Sequence, residues 1–509
     1  MMLSQRRIAD RLHALPHGRL QGMLRGIEKE SLRTRPDGSL ALTPHPPALG
    51  SALTHPHITT DFSESQLELI TGVHGSVESC LEELGQIHQH VYRSIGDELL
   101  WAGSMPCDLP PDASIPIANY GNSNIGRAKA VYRIGLSHRY GKRMQTISGI
   151  HYNWSMPGLG TDEYFALIRN FRRHSFLLLY LFGASPALGS SFMTGRAHGL
   201  TPVGPDTLGM PQATSLRMGR LGYQSDAQSA LAVSYNSLEH YAATLQEALT
   251  RQYPAYEAIG VVDREGKYRQ LATTLLQIEN EFYGTIRPKR VIRPGERPLH
   301  ALRERGVEYV EVRCLDLDPF EPLGIGPGTA RFVDLFLLHS LLADSPADSP
   351  QETEALSRNQ DLVATRGREP GLRLERGDGE IALTDWAASL LDEIEPIAHA
   401  LDTIEGGLGY RDCLRRARSA VSDAALLPSA RVLETLRQNF GGSHRGFVGA
   451  QSAKAKHQLL EIPWPAAAQA KFGQMAVDSL KDQARTEALD QTDFETYRRA
   501  YPAPERLQP

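Results

Sequence analysis

The sequence predicts an α+β fold, with strands in the first part of the chain and a mostly helical last third. Residues 307–317 alternate between apolar and polar side chains, which is typical of a strand. Apolar residues recur at three- and four-residue intervals across 76–99, which is typical of a helix. Beyond residue 350 the helical pattern dominates, apart from a hairpin signal at Gly377-Asp-Gly379.

The other elements follow in chain order from the same patterns. A short amphipathic helix is predicted at 3–15, and two strands are predicted around the turn Pro36-Asp-Gly38. Glycine and proline predict an irregular loop at 103–126. Further predictions are a strand at 144–157 and helices at 161–182 and 227–249. A Ser- and Pro-rich linker at 344–350 separates a predicted core, residues 1–343, from a helical part, residues 351–509, that packs on the core.

Composition restricts the class of protein. A chain of 509 residues with 41% hydrophobic residues can bury a large core. Its net charge of −5, from 54 basic and 59 acidic residues, argues against nucleic acid as the main partner. The longest apolar run, 176–182, falls short of the roughly 20 residues of a membrane helix. With four scattered cysteines and a charged N-terminus, we expect a cytoplasmic protein that binds neither nucleic acid nor membrane.

Four stretches place two costly polar residues two positions apart: Glu28 and Glu30, Asp61 and Ser63, His151 and Asn153, and Glu311 and Arg313. Side chains at positions i and i+2 of a strand share a face of the sheet. Unpaired charge on a covered face is too costly for an ordinary core. Such a face is therefore expected to line a cleft, where metal ions, phosphates or substrate carboxylates meet the charges.

The acidic members of this set predict a metal site. The candidate ligands are Glu28, Glu30, Asp61 and Glu311, with Glu68 from the stretch that Asp61 opens and His151 as an imidazole ligand. Hard oxygen donors suit Mg²⁺ or Mn²⁺, whereas a catalytic zinc site usually has more His or Cys. For any one of these carboxylates, a solvated strand edge or a local ion pair is the commoner situation. The whole set together favours the metal.

No standard phosphate-binding loop is present. The segment 260–267 has the wrong spacing for one, and Gly324-Ile-Gly-Pro-Gly328 lacks the dinucleotide spacing. Bound ATP would therefore be held by metal-bridged phosphates and arginines. Arg287, in Arg-Pro-Lys-Arg at 287–290, is a candidate, although a solvated basic loop is slightly favoured for that segment on its own.

Two Arg–Tyr pairs suit an amino-acid substrate. Arg217 precedes Tyr223 by six positions, and Tyr132 adjoins Arg133. Arginine suits a carboxylate and tyrosine an apolar pocket, but a surface salt bridge and a core tyrosine explain such pairs equally simply. No Gly-x-Ser-x-Gly elbow and no cysteine in a reactive setting support nucleophilic catalysis.

Several ordered motifs carry a resemblance to a known family. They include Arg-Gly-Ile-Glu-Lys-Glu-Ser-Leu-Arg at 25–33 and Met-Gln-Thr-Ile-Ser-Gly-Ile-His-Tyr-Asn at 144–153. The others lie at 45–55, 58–62, 180–186, 277–281, 286–290 and 310–313. Together they strongly resemble glutamate–cysteine ligase of the proteobacterial type, also called γ-glutamylcysteine synthetase, over residues 20–340.

The resemblance implies a glutamine-synthetase-like core, in which an antiparallel sheet curves into a funnel surrounded by helices. It implies ATP-dependent ligation of the γ-carboxylate of L-glutamate to the amino group of L-cysteine, through γ-glutamyl phosphate. The products would be γ-glutamylcysteine, ADP and phosphate, in the first step of glutathione biosynthesis. It further implies Mg²⁺ and glutathione as a feedback inhibitor. We also expect Mn²⁺ to substitute for Mg²⁺ and the protein to be a monomer.

The resemblance also implies roles for individual residues. The metal ligands would be Glu28, Glu30, Asp61, Glu68, His151 and Glu311. The residues carrying the chemistry would be Glu28, Glu311 and Arg313, and the nucleotide would contact Arg287 and Arg313. Arg217 would bind the amino-acid carboxylates, and the cysteine pocket would consist of Phe62, Tyr132, Gln145, Tyr223 and Tyr283. The resemblance also implies roles for Arg133 and Asn153, but it supports these two roles less strongly.

Two alternatives remain open. A related carboxylate–amine ligase with a different amine acceptor would keep the metal and ATP residues and differ only in the tyrosine pocket. A non-catalytic metal- or nucleotide-binding regulator would have lost one or more acidic ligands, and all six are present here.

Overall fold

The computed structural model describes residues 2–222, 226–229, 231, 233–293 and 295–508, which form an antiparallel sheet surrounded by helices. The strands are β1 (Leu24–Thr34), β2 (Ile58–Thr60), β3 (Gln66–Ile70), β4 (Leu99–Leu100), β5 (Ile150–Ser155), β6 (Ala187–Gly189), β7 (Thr201–Gly204), β8 (Thr207–Gly209), β9 (Ile286–Lys289), β10 (Tyr309–Leu315), β11 (Arg373–Arg376) and β12 (Gly379–Ala382). The helices are α1 (Met2–Ala14), α2 (His17–Gln21), α3 (Val77–Ser94), α4 (Asn124–Tyr140), α5 (Thr161–His174), α6 (Phe176–Phe182), α7 (Asp226–Ser229), α8 (Leu238–Thr250), α9 (Pro254–Ile259), α10 (Pro298–Arg305), α11 (Pro327–Leu342), α12 (Pro350–Arg366), α13 (Leu383–Glu405), α14 (Gly409–Ser422), α15 (Pro428–Phe440), α16 (His444–Glu461), α17 (Ala466–Ala488) and α18 (Phe494–Ala500).

The main sheet has the strand order β2-β3-β1-β5-β10-β9, with β4 paired to the end of β1. All neighbouring strands are antiparallel. The register sets Glu28 opposite His151 and Glu30 opposite Glu68. On the other side of β5 lies β10, whose Glu311 is opposite Arg287 of β9. Because alternate side chains share a face, this register gathers the polar pairs on one face of the sheet.

The opposite face of the sheet is apolar. Its side chains include Ile27, Leu67, Leu69, Tyr152 and Val312, each at most 1% exposed. Helix α3 packs on β1 and β3, α5 packs on β9, and α6 packs on β10. Burying each such side chain contributes about 1.5–3 kcal/mol, so this face anchors the sheet that carries the polar residues.

A buried ion pair links the sheet to the helices behind it. Arg25 of β1 lies 2.9 Å from Asp334 of α11. The hydroxyl groups of Tyr152 and Tyr410 also donate to Asp334, at 2.9 and 3.3 Å. All four side chains are almost fully buried, so the charge of Arg25 is paired by Asp334 rather than by solvent, while Arg25 Nε has no hydrogen-bond partner within the described ranges.

The predicted α+β class, with an antiparallel sheet and a helical C-terminal part, is confirmed. The predicted helix at 76–99 is α3, which begins after Ser76, whose side chain accepts a hydrogen bond from the Ser79 N–H. The predicted strand at 307–317 is β10, and the hairpin around Gly377 is β11–β12.

Three element boundaries were predicted wrongly. Residues 144–146 form a 3₁₀ turn, in which the Thr146 hydroxyl donates a hydrogen bond to the Arg143 carbonyl oxygen. The strand predicted at 144–157 therefore begins only at Ile150. The predicted helix at 161–182 divides at Ser175, which lets α5 pack on α11 and α6 pack on β10. The helix predicted at 227–249 is represented by α7 and α8, and α8 starts anew with Ser237 as its N-cap.

The helices after residue 350 cover several sides of the sheet core. Helices α13 and α14 pack with α11, α16 packs on α3, and α18 packs on α4. The preceding segment, 344–349, has no regular structure and is largely exposed. The division into parts at 1–343 and 351–509 stays a prediction. None of the helices in the described ranges is long and apolar enough to cross a bilayer.

Candidate active site

The first candidate ligand group joins Glu28 of β1, His151 of β5 and Glu311 of β10. One ligand atom from each of these residues lies within 4.8 Å of the others. His151 Nδ1 is 3.2 Å from Glu28 Oε2, and Asn153 Nδ2 donates to Glu28 Oε1 at 2.8 Å. Three neighbouring strands thus deliver ligands to one point, as their cross-strand register requires.

Basic side chains surround the Glu311 end of this group. Lys289 Nζ lies 3.0 Å from Glu311 Oε1, and Arg313 donates to Glu311 Oε2 at 2.7 Å. Arg287 is 3.9 Å from the same carboxylate. Burial opposes ionisation of Glu311, but the charges of Lys289 and Arg313 hold its pKa well below the usual range. Glu311 is therefore a carboxylate at neutral pH.

His151 and Glu28 set each other's protonation. Burial raises the pKa of Glu28, but the hydrogen bond with His151 and the charges of His151 and Lys289 together outweigh it, so the net shift is downward. Burial, followed by the charge of Arg313, lowers the pKa of His151, so the imidazole is neutral at pH 7. Donation from Nδ1 to Glu28 favours the tautomer that leaves a lone pair on Nε2.

The second candidate ligand group joins Glu30, Glu68 and the same His151. Glu30 Oε1 faces His151 Nε2 at 3.6 Å, while Glu30 Oε2 accepts a hydrogen bond from the Gly149 N–H at 2.8 Å. Burial, and then the charge of Asp61, raises the pKa of Glu30 to about 8. Burial, and then the charge of Glu28, raises the pKa of Glu68 well above its usual range. Without a cation, Glu30 therefore holds a proton at neutral pH, and burial favours the protonated form of Glu68 as well.

The donor set fits Mg²⁺ or Mn²⁺. The six predicted ligands supply carboxylate oxygens and one imidazole, which are the donors that these ions accept. His151 Nε2 is buried and has no hydrogen-bond partner within the described ranges, as expected of an atom that faces a metal. Burial is the main cause of the raised pKa values of Glu30 and Glu68, followed by the charges of neighbouring carboxylates, and a bound divalent cation would favour the ionised form of both.

Asp61 stands at the edge of the second group, in the turn after β2. It is not among the mutually close ligand atoms found in the described residues, yet its charge acts on Glu30 and Glu68. Its carbonyl oxygen accepts hydrogen bonds from the Tyr120 hydroxyl at 3.1 Å and from Arg133 Nε. The neighbouring Phe62 is 1% exposed.

Part of the predicted cysteine pocket is brought together. Gln145 Nε2 donates to the Tyr283 hydroxyl at 3.1 Å. Tyr132 is half-buried on α4, and its carbonyl oxygen accepts a hydrogen bond from Gln277. Tyr223, the remaining predicted tyrosine, lies outside the described residues.

Arg217 is fully buried rather than open to a cavity. Its guanidinium donates to the Arg313 carbonyl oxygen at 2.9 Å and lies 3.9 Å from Asp316. It passes so close to Gly149 that a Cβ there would lie 2.1 Å from the Arg217 NH2 nitrogen, so only glycine fits this position. Arg217 thus supports the backbone of β10 beneath Arg313, and its predicted contact with substrate carboxylates stays a prediction.

Arg287 lies in the edge strand β9 and is 6% exposed, so the solvated basic loop favoured for 287–290 is wrong. Sequence reasoning missed Lys289 as a partner of Glu311, although its position two residues after Arg287 in a strand was an available signal. A cavity of about 330 Å³ opens beside this edge. Its lining includes Tyr241, Arg287, Lys289, Leu299 and Tyr309.

Comparisons with known proteins assign the chain to one family. The family model described as glutamate-cysteine ligase matches residues 11–363. The chain is 47% identical to the glutamate–cysteine ligase of Alcanivorax borkumensis, over 96% of this chain and 98% of that protein. It is 49% identical to the glutamate–cysteine ligase of Pseudomonas paraeruginosa, over 94% of each.

Solved structures give the same result. The crystal structure of glutamate–cysteine ligase from Francisella tularensis in complex with AMP superposes with a TM-score of 0.90 at 38% identity, covering 94% of this chain and 97% of that chain. A bifunctional glutathione synthetase from Pasteurella multocida matches with a TM-score of 0.70 at 25% identity, covering 93% of this chain and 58% of that chain. The resemblance found in the sequence is confirmed, and the protein is an enzyme that belongs to the glutamate–cysteine ligase family.

Proposed function

We propose that the enzyme joins the γ-carboxylate of L-glutamate to the amino group of L-cysteine at the expense of ATP. The reaction passes through γ-glutamyl phosphate and yields γ-glutamylcysteine, ADP and phosphate, the first step of glutathione biosynthesis. The observation that carries the proposal is the pair of ligand groups that share His151 on one face of the sheet, with Arg313 beside them. The AMP bound to the Francisella tularensis protein supports a nucleotide as co-substrate.

The two ligand groups would each hold Mg²⁺, for which Mn²⁺ can substitute. Glu28 and Glu311 would hold one ion, and Glu30, Glu68 and the Nε2 atom of His151, with Asp61 at the edge, would hold another. Bound there, the ions would neutralise negative charge on the triphosphate and on the carboxylate that attacks it.

In the first step, Arg313 would stabilise the transferring phosphoryl group. Its guanidinium is held by Glu311 at 2.7 Å and lies on the same face as His151. A planar guanidinium can donate two parallel hydrogen bonds to phosphoryl oxygens. A γ-carboxylate oxygen of glutamate bonds to the γ-phosphorus, the bond from that phosphorus to the bridging oxygen breaks, and ADP leaves. Arg287 and the adjacent 330 Å³ cavity would receive part of the nucleotide.

In the second step, the cysteine amine would attack the carbonyl carbon of the acyl phosphate. The new C–N bond forms, the C–O bond to phosphate breaks, and the nitrogen loses a proton. The hydrogen bond from Gln145 to Tyr283 would fix one wall of the acceptor pocket, and Phe62 and Tyr132 would exclude water. Exclusion matters because water would otherwise hydrolyse the acyl phosphate.

The test is ADP production with Mg²⁺, ATP and L-glutamate, with and without L-cysteine, alongside mass spectrometry of the product. Cysteine-dependent ADP release together with γ-glutamylcysteine supports the proposal. Faster release with another amine would establish the related ligase with a different acceptor. No ADP with any of the twenty amino acids as acceptor, despite retained metal binding, would overturn the proposal in favour of a regulator. The expected monomer and inhibition by glutathione stay predictions.

A further inference from the structure

Two basic residues of α4 lie against one aromatic ring. Lys129 Nζ is 5.1 Å from the ring centroid of Tyr120, and Arg133 Cζ is 4.6 Å from the same centroid. The two residues are four positions apart on the helix, a spacing at which like charges repel. Within the described ranges, neither side chain forms an ion pair with a carboxylate. The ring attracts both cations but does not neutralise them.

These two cations lie on the acidic side of the candidate site. Arg133 Nε donates to the carbonyl oxygen of Asp61, and the Tyr120 hydroxyl donates to the carbonyl oxygens of Thr60 and Asp61 at 2.7 and 3.1 Å. When it is ionised, Glu68 attracts both cations. Lys129 and Arg133 therefore border the second ligand group without being part of it.

Among the residues that the structure describes, no carboxylate forms an ion pair with either cation. Burial, and then the charge of Arg133, lowers the pKa of Lys129 to about 8, although Glu68 acts in the opposite direction. A half-buried ammonium next to a guanidinium is costly unless an anion joins them. Under the proposed function Glu68 binds a metal ion, so its charge would be neutralised and the two cations would need another anion.

We propose that Lys129 and Arg133 bind the α-carboxylate of an amino-acid substrate. The inference rests on the proposed function, in which both amino acids enter this face of the sheet. Arg133 donates from Nε to the Asp61 carbonyl oxygen and from Nη1 to the Lys129 carbonyl oxygen, which fixes its guanidinium and leaves Nη2 to donate to a ligand. The ammonium of Lys129 adds a point charge, and together they fit a carboxylate. Because glutamate and cysteine both carry an α-carboxylate, the experiment distinguishes the two sources.

The first measurement compares steady-state kinetics of Lys129→Met with the parent enzyme. Loss of one charge-assisted hydrogen bond is expected to raise KM for one amino acid about 10- to 100-fold, with kcat within about threefold of the parent and KM for ATP unchanged. Lys129→Arg keeps the charge and should recover most of the affinity. The matched control is Arg127→Met, which removes a cation of the same helix that lies instead over Phe494 at 4.1 Å.

The second measurement identifies the carboxylate with substrates that lack it. Cysteamine replaces cysteine, and 4-aminobutyrate replaces glutamate. The parent should discriminate against the analogue that lacks the bound carboxylate, and Lys129→Met should discriminate far less. Equal discrimination by the parent and the variant against both analogues would overturn the inference.

Failure of this inference can be told apart from failure of the proposed function. Parent turnover with both amino acids supports the function even if Lys129→Met leaves every KM unchanged, and that result rejects only the carboxylate site. Calorimetric affinity for each amino acid, with Mg²⁺ and ADP, tests the site without turnover. Thermal unfolding checks each variant, and Lys129→Gln replaces Lys129→Met if the latter is unstable.

Discussion

The raised pKa of Glu30 predicts how metal and pH together control stability. In the metal-free fold this pKa is about 8, against an ordinary value of 4.5, because of burial and the charge of Asp61. Between those pH values the folded protein holds a proton that the unfolded chain has lost. The stabilising contribution of Glu30 is thus complete below pH 4.5 and is lost as the pH rises to about 8. The difference of about 3.5 pH units corresponds to at most about 5 kcal/mol of unfolding free energy.

The assay is urea unfolding at pH 6, 7 and 8, in EDTA and in excess Mg²⁺. In EDTA, the contribution of Glu30 to the free energy of unfolding should fall by about 2–3 kcal/mol between pH 6 and pH 8. In excess Mg²⁺ this decrease should be much smaller, because the ion binds the ionised carboxylate of the folded protein. Glu30→Gln cannot titrate, so its stability in EDTA should depend less on pH and respond less to Mg²⁺. Identical pH slopes and identical Mg²⁺ responses in the parent and Glu30→Gln would refute the reasoning.

Three further substitutions test other parts of the account. Glu28→Gln keeps the size of the side chain but removes the charge of the ligand. Turnover should fall at least about 100-fold, while the free energy of unfolding measured in urea should change by less than about 1 kcal/mol. Turnover near the parent value would show that Glu28 is not a metal ligand. Arg313→Lys should lower kcat about 100-fold, because a point charge does not replace a planar fork; unchanged single-turnover rates would contradict this. Asp334→Ala leaves the charge of Arg25 buried without its partner, so the free energy of unfolding measured in urea should fall by about 3–5 kcal/mol. A fall of less than about 1 kcal/mol would show that the ion pair is dispensable.

Much of the candidate site could be predicted because its pattern is local. Glu311 and Arg313 share a face of β10 simply because side chains alternate along a strand. The contact between Glu28 and His151 is different, since these residues are 123 positions apart and meet only through the register of β1 and β5. The residue pattern and the family resemblance both supplied the ligand set, but only the three-dimensional structure divides it into two groups that share one imidazole.

Other features depend on packing that a single sequence does not reveal. Gln145 reaches Tyr283 from a 3₁₀ turn, although alternation along 144–157 had placed it in a strand. Arg217 is buried against Gly149, which no local signal indicates. Lys129 is one basic residue in a helix, and only its approach to Tyr120 sets it apart. In each case tertiary contacts, rather than local propensity, decide the position of the side chain.

The central claim is that carboxylates from distant strands converge on divalent cations. Crystals grown with Mn²⁺ and a non-hydrolysable ATP analogue test it most directly through anomalous scattering. The account predicts one peak beside Glu28 and Glu311 and a second beside Glu30, Glu68 and His151. Both positions empty, with ordered nucleotide bound elsewhere, would contradict it.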